Sequence, residues 1–147
     1  MRLMAAITGG AVLLLAAVGF VGVFSASPAI AAYSGIPDFE AGSAESEDTF
    51  YNGDPLVEWT DHGTTFAVVL WGSGSCPAVA TSLDVVSADE VTVTFGDPDD
   101  DVCSMDLSPF THEFDVPTGA TDLPLTVSVV RPAGPGSQTV ESFLLSE

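Results

Sequence analysis

The sequence predicts an antiparallel β-sandwich of immunoglobulin-like architecture with about seven strands. Three observations carry that prediction. Apolar residues recur at every second position in run after run, clusters of Gly, Pro, Ser and Asp separate the runs at hairpin spacing, and no stretch of the acidic part carries the period of an amphipathic helix. The same pattern admits a small β-barrel as the alternative.

The strands follow in order. Leu56 to Thr60 is a short candidate opening strand, and Phe66-Ala67-Val68-Val69-Leu70-Trp71 is apolar on both faces, which suits a central strand covered on each side. Leu83 and Val85 alternate with Ser82 and Asp84. The clearest half-buried strand is Val91-Thr92-Val93-Thr94-Phe95, whose apolar residues share one face and whose threonines share the other. Thr111 to Val116 places His112, Phe114 and Val116 inward and Thr111, Glu113 and Asp115 outward. Leu125, Val127 and Val129 point one way between Thr126 and Ser128, and Thr139 to Leu145 closes the fold with Phe143 and Leu145 on one face. Gly72-Ser73-Gly74, Ser87-Ala88-Asp89, Gly96-Asp97-Pro98, Pro117-Thr118-Gly119 and Pro132-Ala133-Gly134-Pro135-Gly136 supply the turns.

Ahead of these strands, Arg2 precedes an uncharged run from Leu3 to Phe24, and Ala29-Ile30-Ala31 supplies a small-residue exit before Ala32. A basic start, an apolar middle and an Ala-x-Ala exit are the parts of a secretory signal peptide, so residues 1–31 are expected to be a leader cut after Ala31. As an alternative the run stays as an anchor, because 22 residues at about 1.5 Å each cross a hydrocarbon core. Either way the remainder is displayed outside the cytoplasm, and any membrane contact is through the N-terminal segment alone. Residues 32–55, rich in Gly, Ser and acidic side chains, read as a flexible tether, which leaves 56–147 as one domain.

The charge is lopsided. All 21 acidic residues lie beyond Ala31, against Arg131 as the single basic residue there, so the exported part carries a formal −20. Such a chain repels phosphate backbones and anionic headgroups, which excludes nucleic acid as a partner and leaves a protein, a glycan or a cation at the cell envelope.

Cys76 and Cys103 are the only cysteines. An even, minimal count in an exported chain reads as one disulfide, and neither a C-x-x-C spacing nor a companion ligand set favours a redox or metal role. Around them run Val69-Leu70-Trp71-Gly72-Ser73-Gly74-Ser75-Cys76-Pro77 and, after a Thr/Val strand, Cys103-Ser104-Met105-Asp106-Leu107-Ser108-Pro109. This pattern, Trp-Gly-Ser-x-Ser-Cys-Pro followed by Cys-x-x-Asp-Leu-x-Pro, resembles small, uncharacterised exported proteins of actinobacteria. The resemblance covers roughly Phe66 to Val130. It implies a secreted or membrane-tethered, disulfide-closed β domain and transfers no activity and no site.

Candidate chemistry is sparse. Gly72-Ser73-Gly74-Ser75 lacks the order of a nucleophile elbow, and Cys76-Pro77 leads into another strand rather than a helix, so a hairpin turn is the better reading. His62 lies in the turn Asp61-His62-Gly63 and His112 on a strand, with no spacing that binds either to a serine and an acid. Asp97-Pro98-Asp99-Asp100-Asp101 offers hard oxygens to calcium but departs from the EF-hand order. The solvated acidic turn is therefore preferred, with calcium at Asp97, Asp99, Asp100 and Asp101 as the speculative site and no other cofactor. Both Trp59 and Trp71 are expected in the core. The expected function is a non-catalytic, surface-displayed binding module, with a structural or stress-related envelope protein as the alternative and an enzyme disfavoured.

Overall fold

The computed structural model describes residues 27–37, 39, 53–98 and 102–146. Eight strands form in chain order: β1 (Ala31–Ser34), β2 (Leu56–Asp61), β3 (Thr65–Gly72), β4 (Val79–Ser87), β5 (Glu90–Gly96), β6 (Ser108–Asp115), β7 (Leu125–Gly134) and β8 (Ser137–Leu145). They make two four-stranded sheets, ordered β1-β6-β3-β2 and β4-β5-β7-β8, and neither sheet closes on itself. This is a β-sandwich.

The two-residue period of the sequence builds the core directly. In the first sheet Phe66, Val68 and Leu70 of β3 face inward beside Phe114, His112 and Phe110 of β6, to which they are paired. In the second, Val91, Val93 and Phe95 of β5 and Leu125, Val127 and Val129 of β7 are all buried. Phe66 and Phe114 stack with ring centroids 5.4 Å apart, and Phe95 meets Phe114 edge-on from the opposite sheet at 6.5 Å. The aromatic triplet thus joins the two layers. Trp59 is core as expected, its indole N–H donating to the Ser146 carbonyl at 3.0 Å.

Four features depart from the sequence reading. Ordered pairing begins well before Leu56, because Ala31–Ser34 runs along β6 with Ala31 opposite Glu113 and Ala32 opposite His112. Those four residues of the expected leader and tether are therefore an edge strand, and they are held further by the Ile30 amide donating to the Glu113 carbonyl at 2.8 Å. Ala29 packs against the core, so a cut after Ala31 falls inside β1 and leaves Ala32–Ser34 on the sheet edge. The Leu3–Phe24 run and most of the acidic tether lie outside the described residues.

Second, β5 and β7 pair in parallel, Glu90 opposite Thr126 through Thr94 opposite Val130, while every other pair is antiparallel. Third, Thr111 points outward by register yet is fully buried, donating its hydroxyl to the Gly35 carbonyl at 2.6 Å. Ala67 and Val69, on that same outward face, are also fully buried, which bears out β3 as a strand covered on both sides. Fourth, Trp71 takes the next outward position and is only partly buried, so it is not a core residue.

Candidate functional site

The inward row of each strand ends differently at the disulfide end of the sandwich. On β3 the series Phe66, Val68, Leu70 ends in Gly72, and a Cβ built on Gly72 meets nothing within 4 Å. On β6 the residue paired with Gly72 is the small Ser108, followed inward by Phe110 and His112. On β7 the series Leu125, Val127, Val129 ends in Arg131. The last layer of the core is therefore missing its apolar side chains. In its place is a solvent-open cleft of about 200 Å³, bounded by Gly72, Ser108, Phe110, His112 and Arg131, with Pro98 and Pro132 at its rim.

Two of its wall residues hold unpartnered polar atoms. His112 is 3% exposed, and neither ring nitrogen makes a hydrogen bond. Its ring lies between Phe95 and Phe110, with centroids 5.0 and 5.2 Å away. This apolar enclosure pushes its pKa below the ordinary value, because burial disfavours the imidazolium; the Ala78 backbone opposes the shift but falls short of hydrogen-bond geometry. Arg131 directs Nη2 to both oxygens of Glu141 at 2.9 and 3.1 Å, while its Nε–H is buried without an acceptor.

The sign of the resulting pH dependence follows from that shift. The unfolded imidazole takes up a proton near pH 6.5 and the folded one at lower pH, so between the two values the unfolded chain binds more protons. The His112 contribution to stability is present above about pH 6.5 and is lost as the pH falls. Urea midpoints measured from pH 7 to pH 5 should drop in the native chain relative to His112→Phe, which keeps the ring volume and removes the titration. Equal pH slopes in the two proteins contradict the assignment.

The floor of this end is made by two loops joined covalently and by hydrogen bonds. Cys76 and Cys103 form a disulfide with a Cα–Cα distance of 5.4 Å. Beside it Asp106 accepts hydrogen bonds from the Ser104 and Ser108 hydroxyls and from the Gly74 amide at 3.1 Å. Ser75 and Ser104 bond reciprocally, the Ser104 amide donating to Ser75 Oγ at 2.8 Å. A Cβ at Gly74 would lie 2.7 Å from the Asp106 carboxylate, so a side chain there would push that carboxylate aside. The donors lower the Asp106 pKa to about 2, those from Ser104 and Ser108 contributing most.

The Asp106 clasp should thus persist in acid. Its contribution is full above about pH 4, where the unfolded carboxyl is ionised, and disappears as the pH falls toward about 2. Because the carboxylate is exposed, Asp106→Ala should leave the melting temperature nearly unchanged while speeding hydrogen exchange at the Gly74 and Ser104 amides. Unchanged exchange at both amides contradicts the clasp.

The sequence candidates distribute unevenly over this structure. Cys76, Gly72 and His112 converge on the cleft, and Asp97 lies at its rim, exposed. Asp99, Asp100 and Asp101 lie outside the described residues, and no group of three His, Cys, Asp or Glu side chains suited to a metal occurs among those described. His62 sits in an exposed turn against Trp59, ring centroids 5.4 Å apart, at β2 rather than in the cleft. Arg131 and Asp106 were missed as site residues. Arg131 was the one basic residue beyond the leader, and Asp106 stood in the motif around Cys103, so composition and spacing held a signal for both.

No protein-family model, curated protein or solved structure matches this chain. What fold and site define together is a disulfide-closed β-sandwich with a mixed polar and apolar cleft at its bridged end.

Proposed function

We propose that the chain is an exported β-sandwich, displayed at the cell envelope, that acts by binding a partner rather than by catalysis. One observation carries this reading: the core layer nearest the disulfide is replaced by an open cleft whose wall holds unpartnered polar atoms. Ligand sites are concave, largely apolar and carry a few placed polar groups, and this cleft has that composition. The leader-like N-terminus, the resemblance to exported actinobacterial proteins and the disulfide, which is compatible with an oxidising compartment, support placement outside the cytoplasm. The ligand classes are a glycan, a protein segment or a cation of the envelope, and calcium at the Asp97 turn remains part of this reading.

Nuclear magnetic resonance titration of the disulfide-intact protein with soluble envelope glycan, a lysine-rich peptide and calcium, each in turn, tests it. The proposal expects saturable shifts at Gly72, Phe110, His112 and Arg131 with one of the three. If none of them shifts these residues, the domain is instead a structural envelope protein whose acidity is its adaptation.

A further inference from the structure

We propose that the cleft bounded by Gly72, Ser108, Phe110, His112 and Arg131 binds one neutral sugar ring. The inference rests on the binding role above and narrows it to a ligand class by size, wall chemistry, charge and hydrogen-bond demand.

Size comes first. A cleft of about 200 Å³ that opens to solvent on one side accommodates a molecule of about one pyranose and not a folded segment of protein. The space exists because Gly72 holds an inward position where its neighbours in the row hold Leu70 and Val68. Wall chemistry comes second. Phe110, Leu70, Pro98 and Pro132 offer apolar surface, whereas Ser108, Ser73, Asp97 and Arg131 offer hydroxyl, carboxylate and guanidinium groups around it. A sugar ring has the matching construction, with C–H faces and a rim of hydroxyls.

Charge narrows the class further. Arg131 is the chain's single basic residue apart from Arg2, and the cleft places it near Asp97 while Glu141 already neutralises it. An anionic ligand must approach through the field of a chain carrying 21 acidic residues, and the guanidinium that could hold it is already paired with Glu141. A neutral ligand incurs neither cost. Hydrogen-bond demand points the same way. A neutral imidazole presents one donor and one acceptor, and the Arg131 Nε–H adds a second donor, all three atoms buried and unbonded. Each such atom carries an uncompensated desolvation cost while it stays unsatisfied. A hydroxyl both donates and accepts, so sugar hydroxyls pair first with the polar groups of Ser73, Asp97 and Ser108 that line the cleft, and reach the His112 and Arg131 nitrogens only as those side chains turn toward it.

The test titrates the full disulfide-bonded protein with glucose, galactose, mannose and N-acetylglucosamine, and then with their methyl glycosides, by heteronuclear magnetic resonance. The expected result is saturable shifts confined to Gly72, Phe110, His112 and Arg131, with a Kd of ~1–10 mM for at least one sugar. Binding of the methyl glycoside as well as the free sugar assigns the ligand to a glycan end; binding of the free sugar alone assigns it to a soluble monosaccharide. Gly72→Leu puts a side chain into the empty position and should weaken binding about tenfold or more, with its melting temperature checking that the fold survives. Arg131→Met, which keeps the apolar stem and removes the donors, should weaken it by a similar factor if the Gly72 variant does not fold. Four sugars without shifts at ~0.1 M overturn the proposal, as do shifts indifferent to both variants. Cleft shifts with the lysine-rich peptide or calcium in that case leave the binding role standing and remove only the sugar.

Discussion

Removing the Cys76–Cys103 bridge should lower the stability of the folded chain by about 3.5 kcal/mol, as a shift of the urea midpoint between the native protein and the Cys76→Ala/Cys103→Ala variant. The figure follows from the chain entropy released when a cross-link between residues 27 apart is cut. It is large against the 5–15 kcal/mol typical of a domain. The loss should also be local in character. The bridge ties the turn after β3 to the chain entering β6, and both β3 and β6 end at the cleft, so hydrogen exchange should rise first at residues 72–78 and 102–108. A loss below about 1 kcal/mol, with protection at those residues unchanged, contradicts a stapling role.

The second large effect is at the centre of the sandwich. Phe114 is fully buried, stacks on Phe66 in its own sheet and meets Phe95 of the other edge-on. Phe114→Ala removes a ring that both layers enclose, and rigid β walls collapse little into the space. A destabilisation of about 4 kcal/mol is expected, with a fall in melting temperature of roughly 20 °C for a domain of this size. Because Phe66 and Phe114 share a contact, the Phe66→Ala/Phe114→Ala double variant should be less destabilised than the two single losses added together, by about 1 kcal/mol. Strict additivity would mean that the rings act independently.

These expectations draw on parts of the fold that the sequence displayed unequally. The alternation of Val91 to Phe95 and of Leu125 to Val129 was legible because both strands lie in the middle of a sheet with one face on the core, where parity sets each side chain's burial except at Ser128, which is buried on the outward face beside Ser142. β4 was harder. Leu83 and Val85 do sit opposite Val93 and Val91, but the strand lies at a sheet edge and carries two bulges, so Val85 stays largely exposed. β1 escaped notice because four small residues at the end of an apolar run also look like a leader's exit, and nothing in them announces β6 as a partner. The parallel pairing of β5 with β7 is a non-local choice that a two-residue period cannot encode.

The cleft was legible only in pieces. Gly72 stood in a turn cluster, His112 on a strand and Arg131 as a lone charge, and their meeting depends on register in two sheets that no spacing along the chain reports. Gly72 continues an inward row two positions past Leu70, and Arg131 continues another two past Val129, so the sequence marks both as breaks in apolar alternation. Asp106 carried a similar mark, an acid three residues after a cysteine in a segment otherwise short of regular structure.

The proposed role requires that the domain operates, oxidised, outside the cytoplasm. Intact mass of the protein recovered from the native host's medium and membrane fractions, alkylated before and after reduction, tests that most directly. The chain should take up no alkyl group as isolated and two after reduction, in the medium if the leader is cut and in the membrane fraction if Leu3–Phe24 is retained. Chain recovered from the cytosol with both Cys76 and Cys103 alkylated before any reduction would contradict it.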